Sequence, residues 1–218
     1  MSWLGKIFGG GDKPEEPASA PAGPYGLRLR GAVSVDSLPF RMAGEKLVFA
    51  PPEGHQAIEA WGEVELGGGS RIHRYYLTDD AFVQVNTTAG QVDGLKMFMF
   101  HETRNPPNQS AFNDWVKRGS LIGAQHIDIA GQRYTRVWGD TPESAWAPPV
   151  VFDEKVYSKD PQEPDYDLTH YAMLYQREVP GLDRYEYLLV SAEDYGPDEY
   201  CITFSIGVDV TEADLNVT

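Results

Sequence analysis

The chain has 218 residues, an apolar fraction of 41% with 12% aromatics, and a net charge of -15; these figures admit one large globular domain or two small ones and exclude a disordered chain. The negative excess is one-sided: residues 139–218 carry 18 acidic groups against 4 basic, a balance of -14, whereas residues 1–138 carry 15 against 14. Phosphate backbones and anionic lipid are repelled by such a half, so nucleic acid is not an expected partner, and a cation, whether metal ion, polyamine or basic protein, is favoured.

Residues 1–8, Met-Ser-Trp-Leu-Gly-Lys-Ile-Phe, place Trp3, Leu4, Ile7 and Phe8 on one face if helical, with Lys6 on the other. Residues 9–24 are rich in Gly, Pro, Ala and Glu and read as a flexible linker. An apolar tail on a tether is a docking element for a membrane surface or a protein groove. Residues 25–218 then form a β-rich globular domain. A subdomain boundary is expected near 139–149, where the proline-containing stretch from Gly139 to Pro149 breaks the strand pattern.

From Leu27 the apolar residues recur with period two. Leu27, Leu29, Val33 and Val35 alternate with Arg28 and Arg30, predicting a strand with a basic face. Ile58 to Leu66 and Arg71 to Leu77 are a hairpin about Gly67-Gly68-Gly69, whose residues supply positive φ. Asp79-Asp80 turns the chain into Ala81–Thr87. Leu95 to Phe100 is apolar on both faces and reads as a central strand. One helix is predicted after Pro106-Pro107, capped by Ser110, with Phe112, Trp115 and Val116 on its buried face and Gly119 as its stop. Strands follow at 125–129, 133–138, 150–157, 171–178, 185–191 and 200–210. The fold class is mainly β, an antiparallel meander with few helices. The similarity of residues 69–77 to 181–189 admits two similar β-subdomains.

No Gly-x-Ser-x-Gly elbow and no phosphate-binding glycine loop ahead of a helix is present, so no cofactor and no catalytic residues are assigned. Cys201 is the one cysteine, allowing no internal disulfide, and lies in a strand without a nearby base. His126-x-Asp128 has the spacing of two ligands on a strand face but reads first as ordinary alternation. The run Asp160, Glu163, Asp165, Asp167, with His170 beyond it, is the densest carboxylate cluster and the candidate cation-binding segment, although a calcium loop's central glycine is missing. Aromatic residues such as Trp61, Tyr75 and Tyr134 alternate with Arg71, Arg74, Arg133 and Arg136, a pattern that serves cross-strand packing or a stacking surface.

The opening Met1–Gly9, the Trp61-Gly-Glu-Val-Glu-Leu and Tyr75-Tyr-Leu-Thr-Asp-Asp segments and the Arg184-Tyr-Glu-Tyr-Leu-Leu block resemble the YjfK-like family of bacterial proteins of unknown function. The resemblance spans essentially the whole chain and brings no catalytic residues. It implies a genomic context beside a phage-shock-type membrane-remodelling protein and a ligase similar to glutathionylspermidine synthetase, hence an accessory role in an envelope-stress system. The expectation is a non-enzymatic interaction module, cytoplasmic and peripheral on the inner face of the membrane, with a protein partner. The alternative is an enzyme or small-molecule binder that takes a cationic, polyamine-like ligand through the acidic half.

Overall fold

The computed structural model describes residues 22–139 and 145–218. Within them, twelve strands and two α-helices follow one another as β1 (Ala32–Val35), α1 (Leu38–Ala43), β2 (Gln56–Gly67), β3 (Ser70–Leu77), β4 (Ala81–Thr88), β5 (Gln91–Arg104), α2 (Gln109–Val116), β6 (His126–Ile129), β7 (Gln132–Arg136), β8 (Val150–Tyr157), β9 (Tyr166–Glu178), β10 (Tyr185–Asp194), β11 (Tyr200–Asp209) and β12 (Leu215–Val217). The mainly β, antiparallel expectation is met, and the meander closes. β2, β3, β4, β5, β11, β10, β9 and β8 pair in that order, and β8 pairs back onto β2, giving an eight-stranded antiparallel barrel. β1 with β12, and β7 with β6, extend the sheet from the ends of β2 and β9 that β8 leaves free. Strands from both sides of residues 139–149 interleave in this ring, and the two similar segments fall on β3 and β10 within it.

The identity of the inner face follows from β8. Phe152, Glu154 and Val156 are buried, while Val151, Asp153 and Lys155 between them are exposed. Cross-strand register carries that inner face around the ring, because directly opposed residues share a side: Gly62 opposes Val156 and Arg74, Arg74 opposes Gln84, Phe82 opposes Phe98, and His170 opposes Phe152 and Glu193. The lumen is therefore filled by side chains, as a ring of eight strands allows. Its apolar part includes Val64, Phe82, Phe98, Phe152 and Leu189, with the Phe82 and Phe98 rings stacked at 5.0 Å.

A larger apolar cluster lies on the outer face. Val83, Leu188 and Ile206 from the barrel pack there with Leu27, Phe40 and Phe49 from residues 27–49, Phe112 from α2 and Tyr134 from β7. Both faces of β5 are thus buried, Leu95 and Met97 outward and Phe98 inward, which is why its sequence is apolar on both phases. The Gly67-Gly68-Gly69 hairpin forms with φ of 80, 61 and 80°.

Three local expectations are corrected. Residues 27–31 are not a strand: Arg30 takes φ 65° and the Gly31 N–H bonds back to the Arg28 carbonyl, so Leu27 and Leu29 are buried from a turn and pairing begins at Ala32. The cap of α2 is Asn108, whose side chain accepts the Ala111 N–H at 3.0 Å, and Ser110 lies inside the first turn. An extra helix, α1, starts beside Asp36, which accepts the Leu38 N–H at 2.9 Å, with Pro39 in the first turn where its missing donor costs nothing.

Candidate functional site

The inward phase of β3, β8, β9 and β10 carries charge where the alternation calls for apolar side chains. Arg74 Nη1 donates to Glu154 Oε2 at 2.7 Å, Tyr76 donates to Glu154 Oε1 at 2.7 Å, and His170 Nε2 lies 2.7 Å from Glu154 Oε2. On the other side of the ring, His170 Nδ1 is 2.9 Å from Ser191 Oγ. The Arg74 guanidinium also faces the Phe82 and Phe152 rings at 5.5 Å each, and Phe152 stacks on His170. Gly62 makes room for this cluster: a Cβ there would stand 1.7 Å from Glu154 Oε1. Burial alone would push the Glu154 carboxyl up, but the Arg74 charge and the bonds from His170 and Tyr76 outweigh it and hold the group at about 2. Tyr76 is pushed well up by burial and the facing carboxylate, so it stays a donor.

Glu154, His170 and Ser191 stand in the order carboxylate, imidazole, hydroxyl, the parts of a nucleophilic triad. They are 0%, 2% and 2% exposed. A serine closed inside a filled lumen meets no substrate, and the cluster reads as a buried ionic staple joining β3, β8, β9 and β10.

A second buried acid works on the outer face. Glu186 Oε1 accepts the Val48 and Phe49 N–H groups at 2.7 Å each, and Oε2 accepts the Tyr134 hydroxyl at 2.8 Å and Arg177 Nε at 2.7 Å. Arg177 Nη2 donates in turn to the Lys46 carbonyl at 2.7 Å. One carboxylate thereby ties residues 46–49 and β7 to the barrel wall.

At one end of the barrel a cleft of about 520 Å³ opens between the β5–α2 loop, the start of β9 and the β10–β11 turn. Tyr166, Tyr195, Asp198, Glu199 and Cys201 line it beside Asn105, and among the described residues no lysine or arginine does. The turn is held by Asp194, which accepts the Gly196 N–H at 3.0 Å, and it carries Asp198 at φ 62°. The Tyr166 and Tyr195 rings are 5.9 Å apart and tilted by 48°. Tyr195 is bonded to Glu193, which is 6% exposed; its Oε2 accepts the Tyr195 hydroxyl at 2.7 Å and its Oε1 accepts Thr203 Oγ1 at 2.8 Å. Burial first, with the Glu193 charge adding to it, pushes up Tyr166, Tyr195 and the Cys201 thiol, so all three keep their protons. A protonated thiol is a weak nucleophile.

The carboxylates singled out from the sequence lie elsewhere. Asp160 accepts the Gln162 N–H, and Asp165 Oδ2 accepts Ser158 N, Ser158 Oγ and Lys159 N within the β8–β9 loop. Glu163 is exposed in that loop. Asp167 lines an outer groove of about 570 Å³ with Glu63, Glu65, Asp153 and Lys155. Among the described residues no group of three His, Cys, Asp or Glu is arranged to hold a metal ion. Asp128 is engaged by Arg133 at 2.9 and 3.1 Å, and Arg71 pairs with Glu65, while Arg74 and Arg136 are buried. The exposed arginine–aromatic stacking surface therefore does not assemble. Trp3, Leu4, Ile7 and Phe8 lie outside the described residues. No helix among the described residues is long and apolar enough to cross a membrane.

The residues that do converge were in view as single letters. A charge on the inward phase of a strand, as in Phe152-x-Glu154-x-Val156, was the available signal, and its meaning depends on partners from four strands. The cleft residues come from the β5–α2 loop, the start of β9 and the β10–β11 turn, and had no common spacing.

The model of a family described as a protein of unknown function, DUF2491, matches residues 3–216 of the chain. The chain is 31% identical over 220 residues to the uncharacterized protein YjfK of Escherichia coli K12, with 97% of this chain and 96% of that protein covered. No solved structure matches it.

Proposed function

The chain belongs to the DUF2491 family of proteins of unknown function, and from that premise we propose that its barrel is a non-enzymatic binding module that receives a cationic ligand in the cleft at its mouth. One observation carries the reading: two tyrosine rings, one of them bonded to a buried carboxylate, and two rim carboxylates, Asp198 and Glu199, line a concavity that no described lysine or arginine lines. Rim carboxylates raise the local concentration of a cation, and tyrosine faces attract it once it is desolvated. The filled lumen beneath supplies a rigid floor and leaves no room for chemistry inside the barrel.

Calorimetric titration with a linear polyamine such as spermidine tests this. Binding to the wild type is expected, weakening at least tenfold in the D198N/E199Q double variant and falling with salt, because the rim charges act through solvent. A neutral diol of equal length should give no heat. An absence of binding by any organic cation up to millimolar concentration would remove the proposal.

Attachment through Trp3, Leu4, Ile7 and Phe8 belongs to the same proposal. It accounts for the one apolar stretch that precedes a Gly/Pro-rich tether, and it would place the module on the inner face of the membrane or on a protein partner in an envelope-stress system. Deleting residues 1–10 is expected to leave the melting temperature within about 2 °C of the full chain, as the attachment reading requires of a segment that docks away from the barrel. The same deletion should move the protein from the membrane fraction to the soluble fraction of a cell lysate. Unchanged partitioning would end the attachment reading while leaving the cleft untouched.

A further inference from the structure

Building on the proposed use of the cleft, we infer that Glu193 selects the ligand, and that the ligand presents a primary ammonium on an unbranched aliphatic stem. The charge layout of the lumen leads there. Arg74, the fixed cation of the inner network, is engaged by Glu154 at 2.7 Å. Glu193 has two neutral hydroxyl donors, from Tyr195 and Thr203, and its nearest ring nitrogen, His170 Nδ1, is 3.7 Å away. Both of its direct hydrogen-bond donors are thus neutral, with the Arg74 charge acting on it only from beyond hydrogen-bond distance, and a carboxylate out of water gains most from a cation that also donates hydrogen bonds.

Its location is the second argument. Glu193 opposes Cys201 across the β10–β11 pair, and its charge is felt by Tyr166, Tyr195 and Cys201, all three of which line the cleft. Glu193 does not itself line the cleft; a ligand reaches it by displacing from Oε2 the hydroxyl of Tyr195, a residue that does. A primary ammonium fits this exchange because it brings three N–H donors in a compact head, replacing the neutral tyrosine donor on Glu193 with charge-assisted bonds. A quaternary ammonium has no N–H and could use only the ring faces. The aliphatic stem would lie against the tyrosine rings, as a lysine stem lies on apolar surface.

The test uses the full chain and calorimetry with pentylamine, pentyltrimethylammonium and a blocked lysine (N-acetyl-lysine methylamide). Pentylamine should bind wild type at least tenfold more tightly than pentyltrimethylammonium, and E193Q should lose at least tenfold in pentylamine affinity. Y195F should bind pentylamine several-fold more tightly than wild type, because no hydroxyl has to leave Glu193, an effect a purely structural tyrosine would not produce. Tighter binding of pentylamine than of blocked lysine identifies a free amine as the source, and the reverse identifies a protein side chain. Equal affinity for the quaternary cation overturns the ligand class. Wild-type binding that D198N/E199Q weakens and E193Q leaves unchanged overturns the role of Glu193 while the cleft reading stands; no binding by wild type removes both.

Discussion

Replacing Arg74 with methionine (R74M) is expected to lower the unfolding free energy by about 3–5 kcal/mol, seen as a fall in melting temperature of roughly 6–20 °C. The cause is not the loss of attraction alone. Glu154 is fully buried, and without the guanidinium 2.7 Å away its charge is left to the Tyr76 and His170 bonds, with no permanent cation in contact. The R74M/E154Q double variant should recover a large part of the loss, because it removes both charges together. A single variant as stable as wild type would refute the staple.

The same pair sets an acid limb. The Glu154 carboxyl is held at about 2 against an ordinary value of 4.5, so the unfolded chain binds its proton more readily than the folded one. The stability this confers is complete above about pH 4.5 and is lost as pH falls towards 2, on the order of 3 kcal/mol in all. Chemical denaturation of wild type and E154Q between pH 5 and 2 measures it. The difference between the two should shrink across that window, and parallel curves would contradict the assignment.

Glu186 to glutamine (E186Q) is the second large effect, about 3 kcal/mol or more of destabilisation. Glu186 receives two backbone N–H groups, a tyrosine hydroxyl and Arg177 at once. An amide offers one acceptor oxygen, so its NH₂ must face donors on one side, and Arg177 is left buried without a counter-charge. The damage is directional: hydrogen exchange in E186Q should rise first in residues 46–49 and β7, which this carboxylate fastens, ahead of β10 and β11. Uniform deprotection across the barrel would show instead that the clamp and the ring unfold as one unit.

Much of the architecture was legible from local pattern. The bounds of β8 and the start of β11 agree with the alternation, and the three-glycine turn is where positive φ was required. Local reading failed where a side-chain contact decided the outcome. Asn108 took the cap because it precedes the helix in extended conformation and reaches the Ala111 N–H, and Leu27 was drawn into the outer core from a turn. The site was least legible. His170 was grouped with the acidic run before it, yet its ring sits in the lumen between β8 and β10. Glu193 stands in sequence beside the Gly196-Pro197 turn, yet one residue of phase places its carboxylate inside.

Period-two alternation, glycine conformations and net charge belong to short segments or to composition. They were enough to settle the class of the fold, the hairpin order and the one-sided charge. Three outcomes appeared only once the chain was assembled: closure of the meander through β8 onto β2, the choice of which alternate face became the interior, and the burial of a few among 33 acidic residues. A carboxylate is assigned its role by what stands within about 4 Å of it. For Glu154, Glu186 and Glu193 those neighbours arrive from strands and segments up to 138 residues away.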